Sequence, residues 1–223
     1  MIYWKNISPY QTNKFKMIYP DAEIQITIND EVIEFIPWQP STWPDSPTTS
    51  QFPEIMKKIF KETMVGEIND VIKDILKSNK SLVHRGHAVA IPMLCAIDSL
   101  SKYAYVNVKS EECPSCGRSD RVGPKFAKFI ETYFPNEYKP YSNEIYKLYR
   151  NGLVHEWNLF RASMWPDNRN ITKDGENLSF GLLNFSDALN SAVDDFLIDL
   201  ANDPKLQKNV MDRYSKLKSM ARH

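Results

Sequence analysis

Between Val83 and Tyr105 almost no side of a helix would be left polar. Ala88, Val89, Ala90, Ile91, Met93, Leu94, Ala96, Ile97 and Leu100 spread around the whole circumference, and a helix apolar on most sides has to lie among other elements rather than on a surface. This segment therefore belongs at the centre of a domain, with the remaining elements packed round it. Pro92 should kink it, because proline removes a backbone donor and crowds the preceding turn. No apolar run approaches the length of a membrane span.

The flanking segments supply the packing partners. From Pro53, Ile55, Ile59, Met64, Ile68, Val71 and Ile75 recur every third to fifth residue, which describes a helix ending near Ser78-Asn79. Gly123-Pro124 opens a shorter helix with Phe126, Phe129, Ile130, Tyr133 and Phe134 inward, proline being suited to a first helical position. Ser142 is a candidate N-cap for a helix from Asn143 to about Trp157. Asp174-Gly175 should turn a hairpin with strands near Asn168–Thr172 and Asn177–Leu182. Ser186 then caps a helix carrying Leu189, Val193, Phe196, Leu197 and Leu200. Asp203 caps a last one, with Pro204 at its first position and Leu206, Val210, Tyr214 and Leu217 on one face.

Residues 1–52 read differently. Ile24, Ile26 and Ile28 alternate with polar neighbours as a half-buried strand does, Asn29-Asp30 can turn the chain, and Val32 to Ile36 can return. Four prolines from Pro37 to Pro47 then impose an extended run, which Trp38 and Trp43 should pin to the body. The expected organisation is an N-terminal extended or β arm over 1–52 packed on a helical domain over 53–223. The fold class is mainly α, with that short arm and one small β-hairpin.

Charge restricts function. The 28 basic and 28 acidic side chains cancel, whereas a chain that holds a long duplex by charge alone is usually basic. Any contact with nucleic acid must be local. The C-terminal Lys205, Lys208, Arg213, Lys216, Lys218 and Arg222, against Asp203 and Asp212, are the best local candidate, although a solvated helix face is the simpler account. The N-terminus lacks the basic start and apolar core of a signal peptide. Three cysteines are too few and too uneven for a disulfide framework, so a reducing cytoplasm is the expected compartment.

Cys113-Pro-Ser-Cys116-Gly117 has the shape of a zinc knuckle. His84 and His87 have a spacing that could complete a four-ligand structural zinc site if the loop folds back across the helix start. A thiol turn without metal accounts for the same residues. Cys95, on the central helix, reads as core.

The segment Tyr149-Arg150-Asn151-Gly152-Leu153-Val154-His155 carries the sharpest chemistry. On an α-helix Asn151 and His155 share a face, and Arg150 lies roughly 140° round the axis from His155, near enough for its long side chain to swing across. An imidazole that titrates near neutrality can move a proton. A guanidinium can hold a phosphate through two parallel hydrogen bonds, and an amide can orient either. Those parts suffice to cleave a ribose phosphodiester without metal. A structural alternative is equally available: Arg150 paired with a carboxylate such as Asp98 or Glu144, and His155 satisfied at an interface.

Arg150-Asn151 followed by His155 resembles the Arg-x4–6-His motif of the HEPN superfamily. Ile91 to Leu100, Gly123 to Ile130 and Tyr149 to His155 look like the core helix and the two helices after it, so the resemblance spans about residues 83–202. It implies a HEPN-like helical bundle that often dimerises with the motif helices face to face. It further implies a metal-independent endoribonuclease of toxin–antitoxin or defence systems, requiring no cofactor for catalysis. RNA would be its substrate and an antitoxin protein a cognate partner. In that carry-over His155 transfers the proton, Arg150 stabilises the phosphorane charge and Asn151 orients them. Other proteins of this kind are non-catalytic dimerisation or binding modules, and that alternative stands. The motif helix is followed here by a hairpin and two helices, and Gly152 lies inside the motif; both depart from the simplest pattern. Tyr146, Tyr149 and Trp157 are the expected aromatic anchors of a homodimer.

Overall fold

The computed structural model describes residues 24–28, 31–35, 38–77, 86–106, 122–153, 159 and 161–221. The fold is mainly helical, with a two-stranded hairpin and a separate three-stranded sheet. Strands β1 (Ile24–Ile28) and β2 (Glu31–Phe35) pair antiparallel. Helix α1 (Phe52–Lys57) runs through a π-helical stretch, Lys58–Val65, into α2 (Gly66–Lys77). Then come α3 (Gly86–Ala104), α4 (Gly123–Tyr133) and the short α5 (Ser142–Glu144), which continues as a π-helix over Ile145–Asn151. Strands β3 (Ala162–Trp165), β4 (Thr172–Asp174) and β5 (Asn177–Gly181) precede α6 (Leu182–Asn202) and α7 (Pro204–Met220).

Helix α3 is central, as its composition demands. Val89, Ala90, Met93, Leu94, Ala96, Ile97 and Leu100 are buried, and α3 meets α2, α4, α6 and α7. One stripe escapes burial: Ala88, Pro92 and Cys95 are exposed on the side facing α2. Cys95 is thus not a core residue, against the expectation from its apolar neighbourhood. Around α3 the aromatic side chains form a relay. Tyr103 meets Phe60, Phe60 meets Phe196, and Phe196 meets Phe129. The relay continues through Phe134, Phe185 and Phe180 to Tyr149. Such ring pairs contribute about 0.5–1.5 kcal/mol each beyond the area they bury.

The expected hairpin forms with its turn one residue later, at Gly175-Glu176, Gly175 taking the left-handed φ of 58° that a side chain would strain. Its register pairs Asp174 with Asn177, so the first strand runs Thr172–Asp174 and meets the expected Asn168–Thr172 only at Thr172, while the second ends one residue short of the expected Leu182. The strand β3, which pairs parallel with β5, has no counterpart among the elements expected from the sequence. Its four residues are too few to show a period of two. Two caps also differ. Ser142 lies inside its helix and its hydroxyl donates to Glu131 (2.8 Å). Ser186 is buried within α6, which begins already at Leu182. Asp203 does cap α7, accepting from the Lys205 amide (2.8 Å) with Pro204 at the first position.

Of the two tryptophans among the prolines, Trp43 is buried and stacks on Tyr214 with centroids 4.7 Å apart. The Tyr214 hydroxyl donates to Pro44 O (2.9 Å), and Lys218 pairs with Asp45 (2.7 Å). Trp38 is instead 49% exposed and not part of the core. Among the described residues no helix is long and apolar enough to cross a membrane.

Candidate functional site

Residues Ile145–Asn151 form a π-helix, not the α-helix assumed for the motif. Its wider turn changes which side chains share a face up to Asn151, whereas the expected sharing of a face by Asn151 and His155 concerns residues 151–155, of which 154 and 155 lie outside the described residues. His155 and Trp157 lie outside the described residues, as do His84, Cys113 and Cys116.

Two neighbouring residues of the motif point into different surroundings. Tyr149 is fully buried, its hydroxyl 2.6 Å from Leu178 O and 2.9 Å from Ser163 O. It ties the motif helix to β3 and β5, and burial pushes its phenol well above the usual tyrosine range. Tyr149 is therefore an internal strut and not the interface anchor expected of it. Its neighbour Arg150 turns toward α3. The Arg150 Nη2 and Nε donate to Asp98 Oδ2 at 2.7 and 3.1 Å, and Nη1 donates to Asn151 Oδ1 at 3.2 Å.

The Asp98–Arg150 pair is nearly removed from water, with side chains 8% and 16% exposed. The guanidinium carbon lies 5.7 Å from the centre of the Tyr146 ring. Tyr146 in turn packs on Phe126 (5.3 Å) and on Gly123, where a Cβ would come within 2.7 Å of its ring. Glycine at the start of α4 is thus what lets the arginine's aromatic platform approach. Of the two carboxylates expected to compete for Arg150, Asp98 takes it; Glu144 pairs with Lys173 (2.9 Å).

Asp98 Oδ1 is buried without a hydrogen-bond partner among the described residues. One turn before Asp98, Cys95 is exposed on the wall of a largely apolar groove with Met64, Ile68 and Val71. Desolvation on that wall pushes its thiol above the ordinary cysteine value. Asp98 adds to the rise, and Arg150 and Lys102 partly offset it.

For the zinc expectation, His87 sits in the first turn of α3, and its proposed co-ligands are among the undescribed residues. Among the described residues no group of three or more His, Cys, Asp or Glu side chains could hold a metal ion.

Sequence reasoning missed a second polar feature. A cleft of about 460 Å³ opens between the C-terminal end of α3, the start of α4 and the middle of α7, lined by Lys102, Val106, Val122, Lys125, Asp212, Arg213 and Lys216. The sequence alone groups Arg213 and Lys216 with a solvated face. Only the packing of α7 brings them beside Lys102 and Lys125. The one available signal was the absence of any acidic residue in the first turn of α4.

Comparison of the chain with protein-family models, with curated proteins and with solved structures finds no match.

Proposed function

We propose that the chain is a HEPN-like helical module acting as a metal-independent endoribonuclease, with Arg150 and His155 as its catalytic residues and Asn151 and Asp98 positioning the arginine. The observation that carries this reading is the buried, incompletely satisfied cluster around Arg150. A buried ion pair rarely stabilises more than apolar side chains of the same volume. Asp98 here also keeps one carboxylate oxygen unpaired among the described residues. Such a cost is understandable where the guanidinium must be held ready for a phosphate.

In the proposed reaction the ribose 2′-oxygen attacks the adjacent phosphorus as its proton passes to a base. The phosphorus–5′-oxygen bond breaks and the departing 5′-oxygen takes up a proton. The products are a 2′,3′-cyclic phosphate and a 5′-hydroxyl. His155 would move the proton and Arg150 would balance the charge on the phosphorane. A homodimer bringing two such clusters together, and a cognate antitoxin protein, belong to the same proposal.

A second reading, a non-catalytic dimerisation or binding module, is favoured by the burial of Asp98 and Arg150, which leaves the guanidinium only 16% exposed. Incubating the purified chain with labelled RNA in EDTA separates the two. The nuclease reading expects cleavage that leaves 2′,3′-cyclic ends, reduced about a hundredfold or more in His155→Ala. Arg150→Lys keeps a cation beside Asp98 but loses the fork, and should fall comparably while remaining folded. Intact RNA with the wild-type protein would leave the binding module, and undiminished cleavage by both variants would remove Arg150 and His155 from the catalytic role.

A further inference from the structure

Among the described residues, the cleft between α3, α4 and α7 gathers four cations, Lys102, Lys125, Arg213 and Lys216, against the single carboxylate of Asp212. None of the four makes an ion pair with a described residue, although ion pairs are frequent elsewhere on the molecule. Like charges gathered in one concavity repel, and the fold gains nothing from that arrangement by itself. Two further features add to the imbalance. The Arg213 Nε is buried and has no hydrogen-bond partner among the described residues. Helix α4 begins in the cleft with Val122 at its N-cap, without a side-chain cap and without an acidic residue in its first turn. Its positive end therefore faces Lys125, the reverse of the usual complement.

We propose that this cleft binds a phosphate group. A phosphate would answer all three imbalances together. Its oxygens can accept from the Arg213 fork and draw in the lysine ammonium groups as mobile point charges. They can also accept from the backbone amides of Gly123 and Lys125 in the first turn of α4, Pro124 having none to offer. The volume of about 460 Å³ exceeds what the phosphate alone would occupy and leaves room for the sugar or neighbouring nucleotide that carries it. The Arg150 cluster lies close by along the chain, Asp98 being one helical turn before Lys102 and Gly123 underlying the Tyr146 platform. The proposal does not depend on cleavage.

Isothermal titration calorimetry on the full chain at low salt tests it with three probes: inorganic phosphate, adenosine monophosphate and a single-stranded 2′-O-methyl oligoribonucleotide with a 5′-hydroxyl. The last carries backbone phosphodiesters but no attacking hydroxyl, so loss of the nuclease reading would not affect the result. Saturable binding of at least one probe is expected, weakened about tenfold or more by Lys125→Gln/Lys216→Gln. If the phosphate or mononucleotide binds and displaces the oligonucleotide, the ligand is a phosphate monoester. If only the oligonucleotide binds, it is a backbone phosphodiester, and the salt slope of log affinity should become shallower by roughly 1.4 in the double variant, about 0.7 for each lysine replaced. Lys216 is exposed, so Lys216→Gln alone serves if the double variant folds poorly. Failure of all three probes to bind, or binding unchanged in the folded variants, would overturn the proposal.

Discussion

Arg150 and Arg213 both lie against α3, one meeting Asp98 and the other lining a cleft with Lys102, yet the fold treats them in opposite ways. Arg150 is answered from within: a carboxylate one helix away, an amide beside it and an aromatic ring beneath it. Arg213 shares its cleft with three lysines, and its Nε is left without a partner among the described residues. An internally compensated charge is coupled to folding, because removing its partner leaves a buried ion. An uncompensated group of like charges at a solvent-open cleft is coupled to whatever binds there. Substitutions in the first region should therefore be read out in stability, and those in the second in affinity.

The largest effect is expected at Asp98. Asp98→Ala removes the carboxylate that accepts two hydrogen bonds from the Arg150 guanidinium at a position 16% exposed to water, and should cost about 3–5 kcal/mol in equilibrium urea denaturation. A loss below about 1 kcal/mol would mean that solvent reaches the pair freely.

Tyr149→Phe should come next, at about 1–3 kcal/mol. It removes the hydroxyl shared by the Ser163 and Leu178 carbonyls while leaving the ring on Phe180. The same denaturation experiment reads it, and hydrogen exchange should rise first in β3 and β5. This variant separates the two sides of the motif helix, because it leaves the Asp98–Arg150 contact in place.

The smallest effect is a shift in reactivity. In a Cys113→Ser/Cys116→Ser background, alkylation of Cys95 should accelerate only above the pH range of an ordinary thiol, because the neutral form is favoured by desolvation and by Asp98. Asp98→Asn removes a negative charge and should move that profile to lower pH. Arg150→Met removes a positive one and should move it higher. Profiles that coincide would show that Cys95 does not sense the pair.

How much of this was legible in the sequence depends on the range of the interaction. The apolar circumference of residues 88–100 placed α3 at the centre, and the Asp203-Pro204 pair marked the start of α7, because both signals are contained in a few consecutive residues. The hairpin was visible from Asp174-Gly175 for the same reason. The parallel pairing of β3 with β5 was not, since it joins two short strands distant along the chain, Ala162 opposite Leu178. The π-helical backbone at Ile145–Asn151 was invisible to an argument that assumed about 100° per residue, and with it the division of labour between Tyr149 and Arg150. The sequence offers both Asp98 and Glu144 to Arg150, and packing alone decides between them. The basic cleft needed three helices to converge, so Lys102 and Lys125 gave no local sign of their association with Arg213.

If the Asp98–Arg150 pair serves the chemistry proposed above and is not what holds the fold together, apolar side chains should replace both partners at little cost in stability. Equilibrium denaturation of Asp98→Leu, beside the double variant Asp98→Leu/Arg150→Met, tests it most directly. The single variant should lose about 3–5 kcal/mol, and the double should return to within about 1 kcal/mol of the wild-type protein or exceed it, because two apolar side chains then fill the volume of the pair. A double variant as unstable as the single would contradict the claim and make the pair a structural necessity.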